Sequence, residues 1–390
     1  MKNNIESGQE QEQDYVDVKH DGKTITLEVK KKNMTFKNLL AEVDRIAGSK
    51  KDIVIDSRDI KAVVAMNEDT EPSELLIDFK APGDLNERTA VPLTPWAHRQ
   101  LAEKLNIPIK YYQRMNDQGH HVLLASNINE WMPSKERRML RLLDGKCRAM
   151  LSDKFQPIDN FMVAREAYNK FEQVGLTEEN IDSCHLTETH MYLRATVPWM
   201  RHEIAKGDVL KQGIIISNSE VGASAFRCEP FLWRQVCSNG LIAPSALTRV
   251  HLGARRDAGE LFSDETHALE HNLIVSKIHD LIERTFDNEN FEAWVANLKA
   301  ANENEISSPT EAIDNFAKLY GIKDNTKDTI LDNFVKEGNP SQWGFINSIT
   351  ATARDFDDAG AQVELERIAG QVSVMDTKEF QKKIAPLAVA

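Results

Sequence analysis

No stretch of the chain approaches the eighteen or so consecutive apolar residues that a membrane-spanning helix needs. Residues 1–14 are polar and acidic, without the apolar core of a signal peptide, so the expected location is a cytoplasm and no membrane contact is expected. Cysteine is scarce: Cys147, Cys184, Cys228 and Cys237 are the only four in 390 residues, and no two form a CxxC pair. That excludes a disulfide framework and a zinc ribbon, and leaves four thiols expected to be reduced and buried. Also missing are the phosphate-cradling GxxxxGK[ST], a GxGxxG after a strand and the GxSxG elbow. These absences lower the enzyme reading, and no cofactor is expected. Positive charge is short as well, with 48 Lys+Arg against 61 Asp+Glu and a net charge of -13, which taken whole disfavours a polyanionic partner.

What is present is a soluble globular composition, 41% apolar, long enough for two or three domains. Its charge is unevenly placed: residues 1–90 carry -5, residues 91–260 carry +3 and residues 261–390 carry -11. A mildly basic middle between acidic flanks fits a nucleic-acid surface with acidic appendages, and fits a solvated basic face equally.

Residues 1–14 read as a disordered tail. Residues 15–90 read as a small α+β module, with strands at 24–29, 53–55 and 60–66 and a helix at 36–46. Residues 91–298 read as an α+β core. It opens with a helix carrying Leu101 and Leu105, stopped before Pro108, and a short helix through Tyr111, Tyr112 and Met115. Ser134 then caps an expected helix running to Leu143, with Gly145 as its left-handed stop. A strand at 146–154, a helix at 160–171, and antiparallel strands at 181–197, 213–217 and 225–236 follow. On one face of the 181–197 strand lie Met191, Leu193, Ala195 and Val197, and on the other Tyr192, Arg194 and Thr196. A long helix starts near Ser263 and carries the stripe Ile274, Ile278, Leu281 and Ile282. Residues 299–309 look like a linker, and 310–390 form an acidic module of short helices. The predicted fold is therefore α+β, an antiparallel sheet core in the order strand, helix, strands, long helix, with a small N-terminal α+β module and a C-terminal helical module. No internal repeat is visible.

Three groups of residues carry candidate chemistry. His267, Glu270 and His271 fit H-x-x-E-H, which on a helix sets two imidazoles one turn apart beside a general base. The bland alternative is packing, because both histidines continue the stripe of Ile274 and Ile278, and no third ligand can be named. Cys228, Cys237 and His251 are likewise better explained by packing than by zinc. The third group has more content: Lys135, Arg137, Arg138, Arg141, Lys146, Arg148 and Lys154 place seven cations within twenty residues. Arg194, Arg227, Arg234, Arg255 and Arg256 extend the set. Trp131, Phe155, Tyr192, Phe231 and Trp233 supply rings for base stacking, since charge plus stacking is the usual composition of sequence-tolerant single-strand binding. The alternative is that the arginines form a solvated face and the rings a core.

Several ordered blocks resemble a family known mainly from phages, plasmids and prophage islands, catalogued as domain of unknown function 932. They are residues 105–115 (LNIPIKYYQRM), 138–152 (RMLRLLDGKCRAMLS), 216–222 (ISNSEVG) and 230–242 (PFLWRQVCSNGLI), with Trp343 and Asn347 further on. The resemblance implies a mobile-element protein in a bacterial host cell. The order of elements is similar to the core of single-strand annealing proteins of the Red-beta type, which assemble rings or filaments around one DNA strand. That likeness implies a homo-oligomer that holds and pairs single-stranded DNA without ATP. The rival expectations are a metal-dependent hydrolase or nuclease on His267, Glu270 and His271, and a non-enzymatic regulatory or anti-defence protein that uses its acidic helices.

Overall fold

Helical spacing and strand alternation sort the chain into a mixed α+β architecture. The computed structural model describes residues 15–20, 23–28, 33–66, 72–80, 88–132, 136–155, 157–234, 239–244, 264–286 and 288–385. An antiparallel ribbon, β1 (Tyr15–His20) and β2 (Lys23–Glu28), precedes β3 (Asn33–Met34) and α1 (Phe36–Ser49). The Thr35 hydroxyl caps α1 by accepting the Asn38 N–H at 3.2 Å. Phe36, Leu39, Val43 and Ile46 recur every three or four residues and are buried together. β4 (Lys51–Asp56) follows, then the antiparallel sheet β5 (Ile60–Met66), β6 (Pro72–Lys80) and β7 (Arg88–Pro92). Three helices, α2 (Pro95–Lys104), α3 (Ile109–Asp117) and α4 (His121–Trp131), share a core with it in which Ile77, Leu101, Leu124 and Ile128 are fully enclosed.

The helix expected over 134–143 is instead a strand. β8 (Arg137–Leu143) and β9 (Lys146–Ser152) form a hairpin, and β4 pairs with β8 to complete a three-stranded sheet. The physical reason is Asp144-Gly145. With φ of 51° and 76°, both residues stand in the left-handed region that a two-residue hairpin turn requires. Gly145 is therefore the tip of a turn, not a helix stop. The sheet also joins β4, from the expected N-terminal module, to strands of the expected core, and residue 90 is not a boundary between sheets.

Next come α5 (Asn160–Gln173) and a meander of β10 (Ile181–Leu186), β11 (Met191–Ala205), β12 (Asp208–Asn218), β13 (Arg227–Arg234) and β14 (Asn239–Ile242). With β3 at its edge, the sheet order is β14-β13-β12-β11-β10-β3, antiparallel throughout. The expected alternation on β11 holds: Met191, Leu193, Ala195 and Val197 face a core shared with α1, α5 and the long helix α6 (Asp264–Thr285), whose Ile278, Leu281 and Ile282 are buried there.

The second face of this sheet is covered as well. Beyond α6 lie α7 (Asn288–Glu303), α8 (Pro309–Tyr320), α9 (Asp324–Glu337), α10 (Gln342–Arg354), α11 (Ala359–Ser373) and α12 (Thr377–Lys383). The segment read as a linker is helical as far as Glu303, and Asn304 and Ile306 beyond it are buried. Leu210, Leu232 and Leu241 of the sheet join the core of this helical region, and Tyr192, Ile215, Phe231 and Ile242 pack with Ala359 and Val363 of α11. At Gly370 α11 approaches β14 so closely that a Cβ would run into the Ile242 carbonyl oxygen. Among the described residues the six-stranded sheet is thus the middle of three layers, with helices packed on both of its faces.

Candidate nucleic-acid interface

The middles of β8 and β9, like the six-stranded sheet, are packed on both faces and leave little outside for charged residues, and four strand arginines show the consequence. Arg141 is 1% exposed: its guanidinium donates to both Asp52 carboxylate oxygens at 2.8 and 3.0 Å, to Asp159 at 3.3 Å and to the Glu220 carbonyl at 2.5 Å. Arg148 lies at a β-bulge, where β9 carries one residue more than β8 between Cys147 and Ala149. The bulge breaks the alternation that would have carried it outward with Lys146 and Lys154, and it is buried, donating to Glu220 at 2.6 Å. Arg194 donates twice to Glu366 of α11, at 2.6 and 3.1 Å. Arg234 is bidentate to Asp208 at 2.7 and 2.9 Å and also meets Glu337 at 2.8 Å. These four arginines are removed from the candidate phosphate contacts, because each is already matched to a carboxylate away from solvent.

Two of the carboxylates, Glu337 and Glu366, come from the acidic C-terminal stretch, and Asp52 comes from the acidic N-terminal one. Part of the charge asymmetry along the sequence is thus internal complementarity. A fifth pair of the same kind, Arg367 with Glu229 at 2.6 Å, was not visible in the pattern.

The remaining named cations are placed differently. Arg137, Lys146 and Lys154 are exposed, Arg138 is mostly covered and paired with Glu136, and Arg227 is half-buried on β13. The β8–β9 register sets Arg138 opposite Ser152, so Arg137 and Lys154 stand at one end of the hairpin and Lys146 at the other. Lys135, Arg255 and Arg256 lie outside the described residues. Among the rings, Tyr192 and Phe231 are buried under α11 and cannot stack on bases, Trp233 packs against the same cluster, and Phe155 is half-buried beside Leu151 and Val221. Trp131, 66% exposed at the end of α4, is the one of the five available to a base.

The ISNSEVG block is a structural hub. The Glu220 carboxylate accepts the Asn160 N–H at 2.7 Å as well as Arg148, and the Val221 carbonyl accepts the Trp96 indole at 3.0 Å and the Gln100 amide at 2.8 Å. Asn218 donates to the Ile158 carbonyl and the Asn160 side chain, both at 2.8 Å. Strand end, hairpin, α2 and α5 are tied at this one point. Beside it a cleft of about 290 Å³ is lined by Thr94, Lys146, Arg148, Thr189, Glu188 and Glu220, among others. Its acids match or outnumber its bases, so it is not built for phosphate.

The thiols of Cys147, Cys184 and Cys228 are pushed up to about 12, chiefly by burial, and are not poised as nucleophiles; Cys237 and His251 lie outside the described residues. His267, Glu270 and His271 have helical backbone in α6, but their side chains lie outside the described residues; among the described ones no three His, Cys, Asp or Glu converge as metal ligands. Among the described residues, too, no helix is long and apolar enough to cross a membrane.

The family described as Domain of unknown function (DUF932) matches residues 149–358. The chain belongs to this family. The DUF932 segment runs from within β9 to the residue that caps α11, so it contains the meander and α5–α10. β8 and α2–α4 precede it. No curated protein and no solved structure matches the chain.

Proposed function

We propose that this DUF932 protein binds single-stranded DNA and pairs it with a complementary strand, as a homo-oligomer without a nucleotide cofactor, in phage or plasmid recombination inside a bacterial cell. The observation that carries this reading is that Trp131 and the cations Arg137 and Lys154 remain exposed where four other strand arginines and two of the rings are buried. Trp131 and Arg137 are six residues apart, and the hairpin register brings Lys154 to the same end as Arg137. A ring that stacks a base beside cations that follow the phosphates is what sequence-tolerant strand holding needs, and exchange of base pairs then proceeds without ATP. Exposed Trp199, Leu269 and Leu273 leave apolar surface for contact between copies.

The test is a titration of the full chain with single- and double-stranded oligonucleotides of one sequence over a salt series, followed by addition of the complement. The reading requires salt-sensitive single-strand binding and faster pairing than protein-free DNA. Trp131→Ala should weaken single-strand affinity by about 1–3 kcal/mol, the usual worth of one stacked base. Absence of single-strand binding at low salt contradicts the reading.

A further inference from the structure

The 105–115 block belongs to neither the central sheet nor the family match, and its geometry has a use of its own. Leu101 and Ala102 of α2 and Leu105 at its C-cap are buried at 0%, 0% and 8% exposure, and Tyr112 and Met115 of α3 at 1% and 4%. Between them lie four residues, 105–108. Asn106 takes a left-handed φ of 55°, its N–H reaching the Glu103 carbonyl at 3.2 Å while the Ile107 N–H reaches Ala102 at 2.9 Å. This is the six-to-one and five-to-two closure that stops a helix abruptly, with Asn in the place usually held by Gly. Pro108 then starts α3, its carbonyl accepting the Tyr111 and Tyr112 N–H groups at 2.9 and 3.0 Å. Across the joint, His98 and the Tyr112 hydroxyl are 2.8 Å apart and their rings meet edge-on at 5.7 Å.

A short, rigid turn between two helices that share a core leaves the outer face of the second helix uncovered. On α3 that face carries Lys110, Gln113 and Arg114, at spacings i, i+3 and i+4, with Tyr111 half-exposed beside them. Arg and Lys read guanine or phosphate, and Gln reads adenine, from the major groove. Of the acids nearby, Asp117 follows Arg114 by one turn on the same face and offsets one of its two cations, leaving the face net positive, and Glu103 is paired with Arg99 at 3.0 Å.

We propose that α2 and α3 form a helix-turn-helix that docks α3 into the major groove of duplex DNA, with Lys110, Gln113 and Arg114 facing base edges and phosphates. The occupant is a duplex because a convex helix with two cations and a Gln at groove-reading spacing fits a groove, whereas a single strand is held along a series of stacking rings and this face offers Tyr111 alone. The site shares no residue with Trp131, Arg137 and Lys154, so either site can fail without the other.

The test uses the full chain. A random-sequence duplex pool is selected for binding, and affinity for the enriched duplex and for a single strand is then measured over a salt series. Lys110→Ala/Arg114→Ala should weaken duplex binding about tenfold or more and lower its salt slope by about two, with single-strand affinity and melting temperature unchanged. Gln113→Ala should relax selection at one base pair. No enriched sequence, duplex affinity within about twofold of the parent in the double variant, or an equal loss on single strands would each overturn the proposal.

Discussion

Four arginines on strands and the cations on α3 come from the same basic middle of the chain, and the fold treats them oppositely. Arg141, Arg148, Arg194 and Arg234 are withdrawn from solvent, and each is matched to a carboxylate from another part of the sequence. Lys110 and Arg114 sit on a nine-residue helix with one buried stripe and one free face. Charge counted along a sequence is therefore not surface charge. Whether a cation faces solvent depends on which part of its element is covered, as Arg137 at the exposed end of β8 and Arg141 in its buried middle show.

The comparison predicts its largest effect inside. Truncating one partner of a buried ion pair leaves the other charge uncompensated, so Glu366→Ala or Arg194→Ala should cost about 3–5 kcal/mol of unfolding free energy in denaturant titration, and Arg141→Ala, which empties a buried site but leaves the part-exposed Asp52 and Asp159, should cost less. Within the same strand, Arg137→Ala should leave the midpoint nearly unchanged, because its side chain is exposed. Equal effects at 137 and 141 would erase the distinction. The double change Arg194→Met/Glu366→Met sharpens it: removing both charges while keeping bulk should recover most of the loss seen in the single variants.

An effect that is smaller per pH unit is set by protonation. Burial pushes His98 down to about 4 and His190 down to about 3, from the ordinary 6.5. The unfolded chain protonates these rings near 6.5 and the folded chain does not, so their contribution is complete above that pH and is lost as pH falls towards 4. The expected slope is about 1.4 kcal/mol per pH unit for each histidine, read from denaturation midpoints between pH 6.5 and 4. His98 bridges α2 and α3, so His98→Phe should flatten part of this slope, and an unchanged slope would remove His98 from the account. The smallest effects belong outside: Lys146→Ala and Lys154→Ala should shift the melting temperature by no more than about 2 °C.

Much of this fold was legible in the sequence. The alternation of β11, the stripe of α6 and the order strand, helix, strands, long helix were read from period alone, because each has one strongly apolar side. The β8–β9 hairpin was missed, as Arg-Arg-Met-Leu-Arg-Leu-Leu satisfies helical spacing and the deciding signal is the following Asp-Gly. The bulge at Arg148 inverted a parity argument, which period-two reasoning cannot foresee. The partners of the strand arginines lie 18 to 172 residues away, beyond any local pattern. The α2–α3 joint was within reach: the interval from Ala102 through Asn106 to Tyr112 and Met115, with Pro108 ahead of the second helix, is its signal.

The most direct test sets two variants side by side on the same DNA at several salt concentrations. One lacks the interior pair, Arg194→Met/Glu366→Met, and the other lacks the exterior cations, Lys110→Ala/Arg114→Ala. The interior variant should keep the parent's duplex affinity and salt slope while the exterior variant loses both. Loss of binding in the interior variant, with the exterior one unaffected, would contradict the assignment of the strand arginines to the fold and of α3 to DNA.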